Sequence, residues 1–545
     1  MEFNVADLYE KVTDYVSERE AIIFGENRLT YRSLDDRANQ AAHYLASVGV
    51  KKGDHVGIYA YNCPEWAEAM VACYKIGAVP INVNYRYVEE ELVYLINNAD
   101  FVALFFQKQF SPLLVEIKDK LPTLKHFIAI DDDSNEDAST LNAANYETAL
   151  AGQTKDRGFG PRSGDDLYVL YTGGTTGMPK GVIWRQEDVI MALGGGIDMA
   201  NQQPLESAEF MAARCSKEGS FALKSFQLAP LMHGAAQWGL LRALFEGNTV
   251  VMSDKKNFDG ANIWEIAEKE KVNMMMITGD AMARPMMDAL EIKSYDLPSL
   301  FVLASSAAIF SPSLKDRYTE KLPNVMILDN IGSSESGYTG MTVHEKGKSG
   351  KDSGGPRVAP GRDTVVLDEA FNLLHPGHEG IGFLARGGNI PHGYYKDEKK
   401  TAETFITAGD GNRYVVPGDM AIWHDDNTIT MLGRGSMCIN SGGEKIFPEE
   451  VEGAIKAHPD VFDTLCVGTP DERFGSCVTA LVQLRKGSAE PTLESVQEAC
   501  STQIARYKLP RRLYFVSEIK RAPSGKPDYK WAKEEALKRF EAENI

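Results

Sequence analysis

Along the first third of the chain, apolar residues follow two alternating rhythms. From Thr30 to Leu45 they fall three and four apart, with Leu34, Ala38, Ala41 and Leu45 on one face, the spacing of a helix lying on a core. Ser33, with Asp36 three residues on, is the expected N-cap, and Gly49 the expected stop. A short β-prone run follows at His55–Ala60, a second helical pattern at Glu65–Ile76 closed by Gly77, and another short run at Val79–Val83. Strand, helix and strand in succession predict parallel sheets covered by helices. The same rhythm returns with strands expected at Thr249–Ser253, Val272–Thr278, Leu300–Ala304 and Val325–Leu328. From about Gly354 the texture changes to short runs broken by Gly, Pro and Asp: Thr364–Leu367, Gly382–Ala385, Met420–Trp423 and Thr428–Leu432. These predict a small β-rich subdomain. Beyond the short connection Gly433–Met437, a helix at Pro448–His458, strands near Thr464–Gly468 and Val478–Leu484, and a helix at Leu493–Ile504 predict an α+β module. The expected fold class is therefore α/β: a large N-terminal domain of parallel sheets covered by helices with a small β-rich subdomain, then a smaller α+β C-terminal domain.

Bulk properties narrow the functions. A chain of 545 residues exceeds one ordinary core and divides into subdomains. The formal charge of −19 argues against nucleic acid as a ligand, and anionic small molecules must be met by local positive clusters. Seven cysteines without a Cys-x-x-Cys pair suggest neither a metal site nor a disulfide framework, which fits a cytoplasmic location. The N-terminal residues lack the basic and apolar segments of a secretory signal, and no apolar run reaches membrane-spanning length.

The densest chemistry lies at Tyr171-Thr-Gly-Gly-Thr-Thr-Gly-Met-Pro-Lys-Gly-Val182, after a strand expected at Leu167–Tyr171. Gly173, Gly174 and Gly177 let the backbone approach a ligand. Their N–H groups, the hydroxyls of Thr172, Thr175 and Thr176 and the Lys180 ammonium make a concave set of donors suited to phosphate oxygens. It is not a Walker A loop, because Lys180 lies between Pro179 and Gly181. Gly194-Gly-Gly196 lacks dinucleotide-binding spacing, so a nicotinamide-dependent oxidoreductase is excluded as a reading.

The stretch resembles the phosphate loop of the adenylate-forming superfamily: acyl- and aryl-CoA synthetases, luciferases and peptide-synthetase adenylation domains. Gly173 stands where that motif commonly has serine. Five further motifs follow in the superfamily's order. Ser305-Ser306-Ala307-Ala308 resembles the small-residue loop that meets adenine. Ile331-Gly-Ser-Ser334-Glu335 resembles Tyr-Gly-x-Thr-Glu, with Ser334 keeping the hydroxyl and Ile331 replacing the adenine-stacking aromatic residue; Glu335 is the expected Mg²⁺ ligand and a catalytic residue. Pro417-Gly-Asp419 stands where Thr-Gly-Asp is common, and Asp419 with Arg434 is expected at the ribose. Gly433–Glu452 resembles the hinge and the loop used in thioester formation; here Ser436 stands where Asp or Lys is common, and Gly442, Gly443 and Lys445 are the expected pantetheine contacts. Finally Pro523-Ser-Gly-Lys526 matches the late adenylation lysine, and Lys526 is expected to stabilise charge developing at the α-phosphoryl group. Around it, between Arg506 and Lys533, nine Lys/Arg stand against two acids, which suggests an anion-facing lid.

The resemblance implies an acid–thiol ligase using ATP, Mg²⁺ and coenzyme A. A carboxylate would attack the α-phosphorus of ATP, and the CoA thiol would then displace AMP from the acyl-adenylate. It also implies a division into 1–433, a hinge at 434–436 and a mobile lid at 437–545. The partners expected are a small-molecule carboxylic acid, ATP and CoA, with no nucleic acid and no membrane span, and a homodimer is an open expectation. Pro230–Trp238 falls where relatives place the acyl pocket, with His233 as a catalytic gate and Gly234, Ala235 and Ala236 leaving room for a bulky acyl group; a helix start packed in the core is the competing reading. Thr278–Pro285, Asn389–Tyr395 and Ile439–Lys445, together with the phosphate loop, resemble ligases that activate sterol side-chain acids in bacterial cholesterol degradation. A sterol side-chain acid is therefore the first expectation, with medium- to long-chain fatty acids as the alternative. A luciferase-like oxygenase of the same fold is the less favoured reading.

Overall fold

The computed structural model describes residues 2–172, 178–198, 202–217, 222–308, 310–345, 356–378, 380–441, 444–471, 474–501, 503–504, 506–521 and 526–543, without the side chains of Arg434, Ser436, Asn440, Glu444 and Lys445. The chain divides into two compact units, one of Met1–Ile277, Lys293–Phe301 and Asn389–Glu403, the other of Thr278–Ile292, Val302–Gly388 and Thr404–Ile545.

In the first unit the alternation read from the sequence holds. Five strands run in the order Val79–Asn82, His55–Tyr59, Phe101–Gln107, His126–Ile130, Ala144–Asn145, all parallel. A second run places Glu20–Phe24, Thr249–Met252, Lys224–Gln227 and Met274–Ile277 side by side, again parallel. The helix read from Thr30 spans Tyr31–Ser47, and Leu34, Ala38, Ala41 and Leu45 are all fully buried. Its cap is Thr30, not Ser33: the Thr30 side chain accepts from the Ser33 N–H at 3.1 Å. Tertiary packing moves the start, because Tyr31 is buried and its hydroxyl donates to the Asn248 carbonyl at 2.7 Å. A third, antiparallel sheet joins Leu167–Thr172, Lys180–Arg185 and Gly393–Tyr394.

In the second unit Val302–Ser305 and Met326–Ser333 pair in parallel. The rest of this sheet is antiparallel, through Gly337–Val343, Arg357–Pro360, Ile429–Arg434, Asp419–Trp423 and Gly382–Arg386. The C-terminal module is a three-stranded sheet, Val461–Asp471, Gly475–Leu484 and Arg512–Val516. Alternate residues serve opposite faces: Cys466, Val478 and Val482 pack with Val451, Val496 and Cys500 of the helices Pro448–Ile455 and Leu493–Ser501. Leu465, Val467 and Leu481 pack on Tyr529, Ala532 and Ala536. These last belong to a third helix, Tyr529–Glu543, where the sequence reading expected two. Its contact stripe is mostly alanine, too weak to stand out as an apolar rhythm.

Candidate active site

The phosphate-type loop joins two hydrogen-bonded strands, not a strand and a helix. Thr172 pairs with Lys180 across the hairpin, so Lys180 opens a strand instead of sitting in the loop as expected. Gly173, Gly174, Thr175, Thr176 and Gly177 lie outside the described residues. The Lys180 ammonium pairs with the Asp397 carboxylate and lies 6.0 Å from the centre of the Tyr394 ring. Asp397 also accepts the Lys400 N–H at 2.9 Å. Bonding to Lys180, then to that N–H, holds its carboxyl below the usual range. No local pattern singles out Asp397; 217 residues separate the pair, and only the return of Asn389–Glu403 to this unit unites them.

Asn82 carries a clearer signal, a polar residue ending an apolar strand. It is buried, donates to the carbonyls of Tyr171 at 2.8 Å and Met232 at 2.7 Å, and accepts the Tyr171 N–H at 2.9 Å. It thereby fixes the strand entering the phosphate loop against the segment that precedes His233. His233 is half-buried at the N-cap of the helix Gly234–Phe245, and its carbonyl accepts the Gln237 N–H at 3.2 Å. The room expected at Gly234 and Ala236 is absent. A Cβ on Gly234 would lie 2.5 Å from Leu170 Cδ2, Ala236 is fully buried, and only Ala235 is partly exposed. Here the smallness of the side chains serves close packing of helix on strand.

In the second unit, the Glu335 motif is not a loop after a strand ending at Leu328. The strand runs on to Ser333 and turns back at Gly337, which places Ser334, Glu335 and Ser336 at the tip of a hairpin. The Ser336 hydroxyl accepts the Ser333 N–H at 3.1 Å and the Ser333 hydroxyl accepts the Ser336 N–H at 3.0 Å. Arg386 donates to the Ser336 carbonyl at 2.6 Å, so the turn is tied from outside as well. Glu335 is half-buried on this rigid tip. Behind it, Ile331, Gly332, Ser336, Leu384, Pro417 and Asp419 line a small hollow. Two motifs distant in the chain, Ile331–Glu335 and Pro417–Asp419, thus share one hollow, with the aliphatic Ile331 as a wall where the resemblance expects an aromatic one.

Asp419 opens its strand in register with Arg434 of the neighbouring strand. The small-residue loop follows the strand Val302–Ser305. There the Ala308 N–H donates to the Ser306 carbonyl at 2.9 Å around Ala307, whose φ of +67° is left-handed. Such strain in a non-glycine residue persists only where the surroundings impose it, and it gathers at functional sites.

Gly442 and Gly443 lie outside the described residues; Lys445 is in the short strand Glu444–Ile446. Ser436 is within one helical turn, Gly435–Met437. Lys526 is half-buried, next to the bridge between Arg521 and Pro527 and just before Asp528, which accepts the Trp531 N–H at 2.9 Å at the start of the last helix. The basic run around it is largely engaged within the C-terminal module. Arg521 grips Asp463 at 2.7 and 2.8 Å, and Lys508 pairs with Glu450 at 2.6 Å. Arg512 donates to Thr469 at 2.7 Å, and Lys533 to the Gly468 carbonyl. Arg511 and Lys520 lie over the rings of Phe474 and Trp531.

Among the described residues no three or more His, Cys, Asp and Glu gather as a metal cluster, and no helix is long and apolar enough to cross a membrane. A lone carboxylate such as Glu335 suits Mg²⁺, which completes its shell with water and nucleotide phosphates.

Known proteins resemble the chain over nearly its whole length. A protein of Rhodococcus rhodochrous named 3-oxocholest-4-en-26-oate–CoA ligase is 49% identical over 541 residues, covering 98% of this chain and 96% of its own. One of Mycolicibacterium smegmatis, named a medium/long-chain-fatty-acid–CoA/3-oxocholest-4-en-26-oate–CoA ligase, is 48% identical over 539 residues, covering 98% and 96%. The crystal structure of an anthranilate CoA ligase with anthranoyl-AMP shares the fold, with a TM-score of 0.82 at 21% identity and coverage of 98% and 97%. The AMP-binding enzyme family matches residues 8–395 and its C-terminal domain residues 450–526, and the chain belongs to that family.

Proposed function

We propose that this chain is an AMP-forming acyl-CoA ligase whose acid is a steroid side-chain carboxylic acid. The observation that carries the reading is the likeness, at 49% and 48% identity over 98% of the chain, to ligases named for a steroid side-chain acid. In keeping with it, Ile331, Gly332 and Ser336 of one nucleotide motif line a hollow with Asp419 of another. In the first half-reaction the acid's carboxylate attacks the α-phosphorus of ATP and pyrophosphate leaves. Positioning and charge stabilisation supply the rate. Thr172–Gly177 and Lys180 cradle the phosphates, Ser306–Ala308 and Ser334 meet the adenine side, and Asp419 and Arg434 take the ribose hydroxyls. Lys526 faces the developing negative charge. Glu335 would hold Mg²⁺, whose charge offsets that of the phosphates. His233 gates the carboxylate. In the second half-reaction the C-terminal part, 437–545, turns about the hinge 434–436, withdrawing Lys526. Gly442, Gly443 and Lys445 then receive the pantetheine arm, the CoA thiolate attacks the acyl carbon, and AMP leaves.

Relatives named for steroid and for medium- or long-chain acids keep a fatty acid as the second substrate reading. A cytoplasmic location and a homodimer complete the proposal. The test is AMP release in the presence of ATP, Mg²⁺ and CoA. CoA-dependent release with a steroid side-chain acid supports the reading. Turnover of a long-chain fatty acid alone sinks the steroid assignment and keeps the ligase.

A further inference from the structure

The five-stranded parallel sheet of the first unit runs Val79–Asn82, His55–Tyr59, Phe101–Gln107, His126–Ile130, Ala144–Asn145. In chain order this is 2-1-3-4-5, so its switch point lies between His55–Tyr59 and Phe101–Gln107, where ligands of open parallel sheets bind beyond the carboxyl ends. The residues there are aromatic. Phe110 stacks on Tyr59 at 4.1 Å and on Tyr61 at 5.8 Å, and Tyr61 lies 4.2 Å from Tyr85, with interplanar angles of 19° to 33°. Tyr59 is fully covered, whereas Tyr61, Tyr85 and Phe110 all keep part of their surface in the open.

The carboxyl ends of the other parallel run are tied to the same place. Beyond Lys224–Gln227, the Ala229 carbonyl accepts from the Asn62 amide at 3.0 Å and the Leu231 N–H donates to its oxygen at 2.7 Å. Beyond Thr249–Met252, Lys256 donates to Gln109 at 3.2 Å. Asn82 continues the line by joining Met232 to Tyr171, at the mouth of the phosphate loop. A line of hydrogen bonds therefore leads from Tyr171, past the segment before His233, to the stacked and tilted rings of Tyr61, Tyr85 and Phe110, with the Gln109 amide next to Phe110 and bonded to the Lys256 ammonium.

We infer that Tyr61, Tyr85 and Phe110 are the specificity wall for the ring end of the acid. This rests on the proposed ligase reading and deepens it. The rings stack on one another, so the column offers its exposed edges as a stiff apolar surface. That suits a rigid fused-ring body, which loses no internal rotation on lying against it, whereas a fatty chain must be frozen bond by bond. The Gln109 amide nitrogen donates to Gln107 at 3.0 Å and the Lys256 ammonium to Gln109 at 3.2 Å; each has more than one N–H, so each keeps a hydrogen to offer a ring ketone. The wall thus discriminates a ring acid from a flexible one without touching the reacting atoms.

The test is the ratio of kcat/KM for a 3-oxo steroid side-chain acid to that for octanoate, measured in the full-length protein. In Tyr61→Ala and Tyr85→Ala the ratio is expected to fall on the order of tenfold or more, and in Tyr61→Phe, which keeps the ring, to stay within about twofold. Phe110→Leu, which conserves bulk, serves if either alanine variant fails to fold, and its ratio should fall in the same direction. An unchanged ratio in all of these, including a parallel loss with both acids, overturns the wall. Wild-type turnover of octanoate but not of the steroid acid overturns the steroid reading and the wall with it. That failure is visible in the wild type alone, so the two are distinguishable.

Discussion

The phosphate-loop hairpin and the basic run Arg506–Lys533 both concentrate groups that attract anions, and the fold uses them differently. Lys180 is paired with Asp397 at a site where both side chains stay more than a quarter exposed, 39% and 30%. Arg521 is paired with Asp463 where both are largely buried, 18% and 13%, and Lys456 joins the same carboxylate at 3.1 Å with only 1% of its side chain exposed. A half-exposed pair is cheap to open, so Lys180 is free to exchange its carboxylate for a phosphate. A buried network is not, because breaking it leaves a desolvated charge without its partner. Density of charge in a sequence therefore says less about anion binding than the exposure of each pair.

The sharpest test of that contrast is Lys526. If it serves the reaction while most of its basic neighbours serve the fold, Lys526→Ala should lower the adenylation half-reaction by about 10²–10³-fold. Acyl transfer to CoA from supplied acyl-adenylate should change far less. Pyrophosphate exchange and single-turnover thioester formation read the two halves separately. An equal loss in both would place Lys526 with its neighbours as structure.

Arg521→Ala should do the reverse. Removing Arg521 leaves buried Asp463 to Lys456 alone and should destabilise the C-terminal module by about 3 kcal/mol, seen as a lower urea midpoint, with pyrophosphate exchange by the folded enzyme nearly intact. Burial raises the Asp463 pKa, but Lys456 and Arg521 outweigh it and hold the carboxyl well below its usual range. A smaller loss, about 2 kcal/mol, is expected for Gly332→Ala. A Cβ there would stand 2.1 Å from the Gly337 carbonyl oxygen, so the hairpin carrying Glu335 must shift, and ATP-dependent activity should fall with stability.

These sites also show what could be read from the chain. The strand–helix rhythm was legible because buried strands and one-sided helices leave short-range patterns, as at Leu34–Leu45. Thr364–Leu367 was read to the residue. The motif residues stood out as candidates, but their settings did not. That Ser334–Ser336 caps a hairpin depends on pairing with Gly337–Val343, and that Gly234 fills a contact with Leu170 depends on a strand 64 residues earlier. Asp397 was invisible for the same reason, its partner being distant in sequence; Asn82 left a signal as a polar residue ending an apolar strand, but its partners are equally distant. The helix Tyr529–Glu543 was missed because alanine makes a close contact without a strong apolar signal.

The smallest effect concerns the Lys180–Asp397 pair. Asp397→Asn should cost under about 1 kcal/mol, because both groups remain partly in water, while raising or lowering the KM for ATP a few-fold as Lys180 loses its fixed position. The pH dependence follows from the direction of the shift. Asp397 has a lower pKa in the fold than in the unfolded chain, through Lys180 first and the Lys400 N–H second. Its contribution is therefore complete above the unfolded value of about 3.9 and is lost as pH falls through the folded one. The difference in Tm between wild type and Asp397→Asn should accordingly be flat from about pH 8 to pH 5 and close as the pH drops below about 4. A difference that widened on acidification would mean that the carboxylate is held against its preference, and the pair could not then be the easily opened one that separates this hairpin from the buried network around Asp463.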